Sequence, residues 1–154
     1  MEEKDLKQEC LNLMETAEAV YLSTIDENGF PQTRSMLNLR NTEQFANLVK
    51  MYEGHKDDFL VFLTTGNASS KIQQIKANTK VSVYFCKPNE FLGLMLGGKI
   101  EIVTDTAIKK SLWQDGWEMY YPSGVDGPEY TILRLLPAFA KGWYKEGPFE
   151  FKLK

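Results

Sequence analysis

The densest concentration of chemistry in the chain is Thr64-Thr65-Gly66-Asn67-Ala68-Ser69-Ser70-Lys71, where hydroxyls, loop amides and an ammonium group meet at the expected start of a helix. That combination suits a phosphate, because backbone N–H groups at a helix start are unpaired and a lysine adds charge-assisted hydrogen bonds. The plainer alternative is that Ser69 or Ser70 caps the helix and Lys71 is solvated. Arg34, within Thr33-Arg34-Ser35-Met36-Leu37, is a second cation of interest. A guanidinium is costly to bury unless it meets an anion, although an exposed edge strand would also accommodate it.

Other catalytic arrangements are poorly supplied. His55, the one histidine, sits in Glu53-Gly54-His55-Lys56-Asp57-Asp58, a polar stretch that reads as a surface loop. A histidine-rich metal centre is excluded by count, and no strained nucleophile turn accompanies His55 for a Ser-His-Asp triad. Neither Gly-x-Gly-x-x-Gly after a strand nor a Walker loop is present. Cys10 and Cys86 lie far apart and outside any Cys-x-x-Cys pair, so they read as free thiols rather than a disulfide or a zinc site. No catalytic side chain and no metal ligand is assigned.

The 154 residues carry 21 acidic and 18 basic side chains, a net charge of −3 without dense Lys/Arg blocks, which argues against dedicated nucleic-acid binding. A chain of this size supports a genuine core in a single domain over 1–154. The charged opening Met1-Glu2-Glu3-Lys4-Asp5 lacks an export pattern, and the apolar run Phe91 to Leu96 is far too short for a membrane span. A cytoplasmic protein without membrane partners is expected.

The elements that must position these groups follow from periodicity. Leu6, Cys10, Leu13, Met14 and Ala17 form one helical stripe that ends near Ala19. Val20 to Ile25 and Pro31 to Leu39 read as a hairpin around Asp26-Glu27-Asn28-Gly29. Asn41 or Thr42 is placed to cap a helix through Met51. Asp58 to Thr65 reads as a buried strand and Lys71 to Ala77 as a helix. Strands are expected at 80–86, 90–103, 130–136, 138–144 and 149–153, with a short helix over 105–113. This count favours a β-rich α+β fold, an antiparallel barrel or sandwich decorated by helices.

Taken together, these residues resemble the FMN-binding split-barrel family that includes pyridoxamine 5'-phosphate oxidase. The resemblance rests on the hairpin strand bearing Arg34-Ser35-Met36-Leu37, on Leu63-Thr64-Thr65, and on Ser69-Ser70-Lys71-Ile72-Gln73-Gln74-Ile75 followed by Asn78 to Phe85. Trp113, Tyr121-Pro122-Ser123-Gly124, Pro128-Glu129-Tyr130, Ile132-Leu133-Arg134-Leu135 and Trp143 resemble its general stress protein branch. The resemblance implies an antiparallel split barrel flanked by short helices, with FMN as cofactor. It implies that Arg34, Ser69, Ser70 and Lys71 hold the phosphate or its neighbours, that Thr64 and Thr65 lie near ring or ribityl, and that Ser35, Met36 and Leu37 lie along the isoalloxazine. Late aromatics such as Trp143 would approach the flavin. Packing in the core or an interface is the alternative for Trp113, Trp117 and Trp143.

The family's oxidase ends with an arginine and a histidine that grip substrate, whereas this chain ends Gly147-Pro148-Phe149-Glu150-Phe151-Lys152-Leu153-Lys154. Where the oxidase offers a partner-subunit glutamine, this chain reads Leu92-Gly93-Leu94-Met95-Leu96. Neither departure changes the assembly that the resemblance implies, a homodimer with flavin between the subunits. The expected chemistry is hydride or electron transfer from a donor such as a reduced nicotinamide to a small-molecule acceptor. The alternatives are a non-catalytic flavin-binding or redox-responsive protein, and haem binding with His55 as ligand.

Overall fold

The computed structural model describes residues 1–145 and 147–153. The domain expected over 1–154 thus includes two residues, Glu146 and Lys154, outside the described residues.

The first helix, α1 (Glu3–Thr16), buries Cys10, Leu11, Leu13 and Met14 against the barrel. Each fully buried aliphatic side chain contributes about 1.5–3 kcal/mol. It stops at Thr16 rather than Ala19. Asn38 Nδ2 donates to Met14 O at 2.8 Å and Ala17 O at 2.9 Å, and Asn41 Nδ2 donates to Ala17 O at 3.0 Å. Two buried amides thus satisfy carbonyls that the helix end leaves free.

β1 (Ala19–Ile25) and β2 (Pro31–Leu37) form the expected hairpin, with Leu22 opposite Arg34. Asp26 Oδ1 accepts from the Asn28 and Phe30 amides at 2.9 Å, and Gly29 takes φ 83°, a backbone conformation suited to glycine. The helix expected to be capped by Asn41 or Thr42 and to run through Met51 is instead a 3-10 run over Ala46–His55. Asn41 Oδ1 accepts from the Glu43 and Gln44 amides and holds a separate turn there. β3 (Val61–Gly66) starts three residues later than expected. Asp58 Oδ1 accepts from the Leu60 amide, and Phe59, wholly buried, adopts φ 58°, which interrupts extension.

α2 (Ser70–Ala77) follows, then β4 (Lys80–Lys87), a 3-10 turn at Pro88–Glu90 and β5 (Leu92–Val103). α3 (Thr106–Leu112) is capped by Asp105, whose Oδ1 accepts from Ala107 N at 2.8 Å and Ile108 N at 3.2 Å. A 3-10 turn at Trp117–Met119 precedes β6 (Tyr130–Leu135), β7 (Phe139–Tyr144) and β8 (Gly147–Lys152).

All eight strands join one sheet, in the order β2-β1-β4-β5-β6-β3, with β7 also paired to β5 and β8 to β7. Every pairing is antiparallel. The sheet curls so that its end strands, β2 and β3, approach one another without pairing. This is an antiparallel split barrel flanked by short helices. Its interior holds α1 residues with Leu22, Leu63, Val83, Phe85, Leu94 and Leu133. A second cluster joins Phe62, Tyr121, Tyr130, Trp117 and Leu112. Among the described residues no helix is long and apolar enough to cross a membrane.

Candidate functional site

The split between β2 and β3 opens into a cavity of about 540 Å³. Its walls include Ser35, Met36 and Leu37 from β2, Thr64, Thr65 and Gly66 from β3, and Lys71 from α2. Trp117, Met119, Tyr120 and Tyr121 close the remaining side. Six of the residues singled out from sequence therefore meet at one place. Its size lies in the range of small-molecule and cofactor sites, about 300–1,000 Å³.

Lys71 Nζ donates to Thr65 Oγ1 at 2.9 Å, and Thr65 Oγ1 lies 3.4 Å from Ser69 Oγ. Ser69 holds the N-cap position with extended backbone but makes no capping hydrogen bond through its side chain. Its hydroxyl faces the β3 threonine instead. Ser70 opens the helix as an exposed residue. Thr64 Oγ1 and the Tyr121 hydroxyl share a hydrogen bond of 2.8 Å.

Arg34 stands behind this wall. Its Nη1 donates to Thr24 Oγ1 at 2.7 Å and to Gln32 O at 3.1 Å, and its Nη2 donates to Gln74 Oε1 at 3.2 Å. Its partners here are neutral oxygens. Partial burial lowers the pKa of both cations, and the positive charge of Arg34 lowers that of Lys71 further. Two partly buried cations, one of which lowers the pKa of the other, suit a ligand that brings negative charge. Neither cation forms an ion pair among the described residues.

Trp143 is not part of this cavity. It lies on β7 opposite Gly93, 46% exposed, with its indole Nε1 donating to Lys145 O at 2.7 Å. Trp113 and Trp117 pack as core aromatics, Trp113 lying 5.0 Å edge-on from Tyr130. Phe91 to Leu96 divides its side chains: Leu94 and Leu96 are fully buried while Phe91 is exposed. His55 is half-buried, its Nδ1 lies 2.8 Å from Asp58 Oδ2, and it is not among the cavity walls. Cys10 is buried and its thiol is pushed up to about 12 by desolvation, which suppresses the reactive thiolate.

Three participants have roles that the sequence reading did not give them. Gln74 and Thr24 anchor Arg34, and Tyr121 orients Thr64. Gln74 follows Lys71 by three positions on a helix, so the spacing that places both on adjoining turns was a usable signal.

Residues 30–154 match the family described as pyridoxamine 5'-phosphate oxidase like. Among solved structures, a Clostridium acetobutylicum protein related to general stress protein 26 of B. subtilis (pyridoxinephosphate oxidase family) is 32% identical, with 98% of this chain and 96% of that chain covered and a TM-score of 0.78. General stress protein 26 from Bacillus anthracis str. Sterne is 18% identical over 96% of this chain and 98% of its own, with a TM-score of 0.69. A NimC/NimA family protein from Clostridium acetobutylicum is 14% identical over 96% of this chain and 93% of its own, with a TM-score of 0.66. The latter two likenesses concern the fold alone. No curated protein matches the chain.

Proposed function

The chain belongs to the pyridoxamine 5'-phosphate oxidase-like family, and from that premise we propose that it is a homodimeric FMN-binding oxidoreductase. The observation that carries this reading is the pair of partly buried cations, Arg34 and Lys71, behind and within the cavity at the split of the barrel.

The donor set fits the cofactor. Lys71, with Ser69 and Ser70 at the start of α2, would hold the phosphate, and Arg34 would add its field from behind. Thr64 and Thr65 would meet the polar chain, while the Ser35, Met36 and Leu37 backbone would lie along the ring. When bound, FMN supplies reversible hydride or electron transfer. The protein's own part is to neutralise phosphate charge, fix the ring against β2, and exclude water with Trp117, Tyr120 and Tyr121. A reduced nicotinamide as donor and a small-molecule acceptor suit such chemistry.

A second copy gives Trp143 a role. Ser35, Tyr21, Tyr84, Met95 and Lys141 follow one another across the outward face of the sheet by strand register, and Leu37 and Trp143 lie two positions further along β2 and β7. Tyr21, Leu37, Tyr84 and Trp143 are exposed apolar side chains there. Packing this face on its symmetry mate buries them and carries Trp143 toward the mate's β2.

An absorption spectrum before and after FMN addition, with released cofactor identified by mass, tests the binding reading. Bound-flavin bands support it, and a colourless protein that ignores added FMN defeats it. The alternative is a flavin-binding protein without turnover, favoured by a closing β8 that carries neither arginine nor histidine to grip a substrate. Saturable oxidation of reduced nicotinamide with a dye acceptor separates the two.

A further inference from the structure

A second cavity, of about 850 Å³, is an open groove on the outward face of the sheet. It shares no wall residue with the cavity at the split. By strand register Ser23, Ser82, Gly97 and Phe139 form one row across β1, β4, β5 and β7. Two positions further along, Lys80 and Lys99 stand directly opposite one another on β4 and β5, and Ile25 stands opposite Pro31 on β1 and β2. Tyr21 and Tyr84 lie two positions to the other side of that row and are not among the walls. The groove thus lies beside the patch on which a second copy is proposed to pack, and not within it.

A missing side chain shapes its floor. The Phe139 ring crosses Gly97 so closely that any side chain at Gly97 would clash with Phe139 Cζ. Side chains on a strand ordinarily stand away from the sheet, whereas this ring lies across the neighbouring strand and leaves the space above it open. Leu136, 48% exposed, stands on the same wall. Ile25 and Pro31 supply apolar surface on the other side of the lysines.

The charge on the wall has one sign, since Lys80 and Lys99 are its only charged residues. Both are exposed, and like charges directly opposite across a ladder destabilise the pair. Neither forms an ion pair among the described residues. An anion held between them removes that repulsion and receives a charge-assisted hydrogen bond from each ammonium.

We propose that this groove binds a free single-chain carboxylate of the medium-chain fatty acid kind. Its two oxygens are shared between Lys80 and Lys99, and its chain lies against Phe139 and Leu136. A bare inorganic anion gains nothing from the apolar flanks, and a neutral lipid gains nothing from the two ammonium groups. The volume is within the range of small-molecule sites, about 300–1,000 Å³. Because the walls of the two cavities are separate, the proposal stands whether or not the cavity at the split holds flavin.

The test is a titration of the full chain with sodium octanoate below its micelle concentration. The readout is the backbone amides of Lys80, Ser82, Lys99 and Phe139 in a proton–nitrogen correlation spectrum. Octanol keeps the chain and removes the charge, while sodium acetate keeps the charge and removes the chain. Saturable movement with octanoate is expected, with octanol about fivefold weaker or worse and no saturation with acetate. Replacing both exposed lysines, Lys80→Gln with Lys99→Gln, should bring octanoate to the octanol value. Octanol binding as tightly as octanoate, saturation with acetate, or undiminished binding by the double variant overturns the proposal. Movement of the same amides on dilution of the protein alone also overturns it and gives the groove to a second copy. Binding to phosphatidylglycerol vesicles without a response to free octanoate overturns it in favour of a membrane surface.

Discussion

Arg34 donates through Nη2 to Gln74 Oε1 at 3.2 Å, which ties the edge strand β2 to the helix that also carries Lys71. Gln74 Oε1 accepts a second hydrogen bond from Thr24 Oγ1 at 2.5 Å. One carboxamide oxygen thus fixes how far apart the two cations stand.

Replacing Gln74 by Leu should therefore cost stability and flavin affinity together. Thr24 is wholly buried and would lose its acceptor, as would Arg34. Such losses cost about 1–3 kcal/mol. Urea unfolding measures the first effect and FMN titration the second. Unchanged affinity would mean that the placement of Arg34 is immaterial to the ligand.

Lys71→Ala should weaken FMN by about 1.5–3 kcal/mol, the scale of a charge-assisted hydrogen bond. Without flavin the variant should be no less stable, since partial burial and Arg34 already disfavour the ammonium. Quenching of flavin fluorescence gives the affinity. An affinity equal to that of the parent removes Lys71 from the site.

The pH dependence follows from the same lysine. Its folded pKa is below the ordinary lysine value, so the strain of holding it charged is fully present below that folded pKa and is relieved as pH rises through it. An anionic ligand prefers the ammonium and raises the pKa again. FMN affinity should thus be level near neutrality and decline as pH rises through the lowered pKa. Lys71→Arg, charged throughout, should flatten the decline. A decline of equal steepness in that variant would assign the titration elsewhere.

Tyr121→Phe removes one hydroxyl from a buried pair while keeping the ring among Trp113, Trp117 and Tyr130. Thermal unfolding should register about 0.5–1.5 kcal/mol of lost stability, the net worth of a neutral hydrogen bond. A loss several times larger would point to the ring's packing rather than the Thr64 contact.

His55→Ala should leave FMN affinity untouched. Its pairing with Asp58 is partly solvent-exposed and contributes about 0–1 kcal/mol. Added haemin should give no Soret band that depends on His55, and a His55-dependent band would revive the haem alternative.

Much of this was legible in the chain because its signals are local. The Asp26 turn, the α1 stripe and the Thr64 to Lys71 stretch each fall within about a dozen residues, so periodicity and turn chemistry reach them. The end of α1 was not legible, since Asn38 and Asn41 reach it across more than twenty positions. Gln74 reads as one more polar residue of a short helix until β1 and β2 curl beneath it. Tyr121 and Trp117 have no legible partner in the sequence until the curl brings them opposite β2.

β5 contacts β4 along 92–99, β7 along 92–97 and β6 along 100–103. It is the seam through which the curl is completed, so neither half of the barrel closes its ladder before this strand is in place. Its pairings with β6 and β7 are distant in sequence, which slows folding relative to a helical domain of equal size. They also make β5 a shared kinetic gate. Its central amides should exchange with solvent only through global unfolding, while those of α1 and the hairpin tip open locally and sooner.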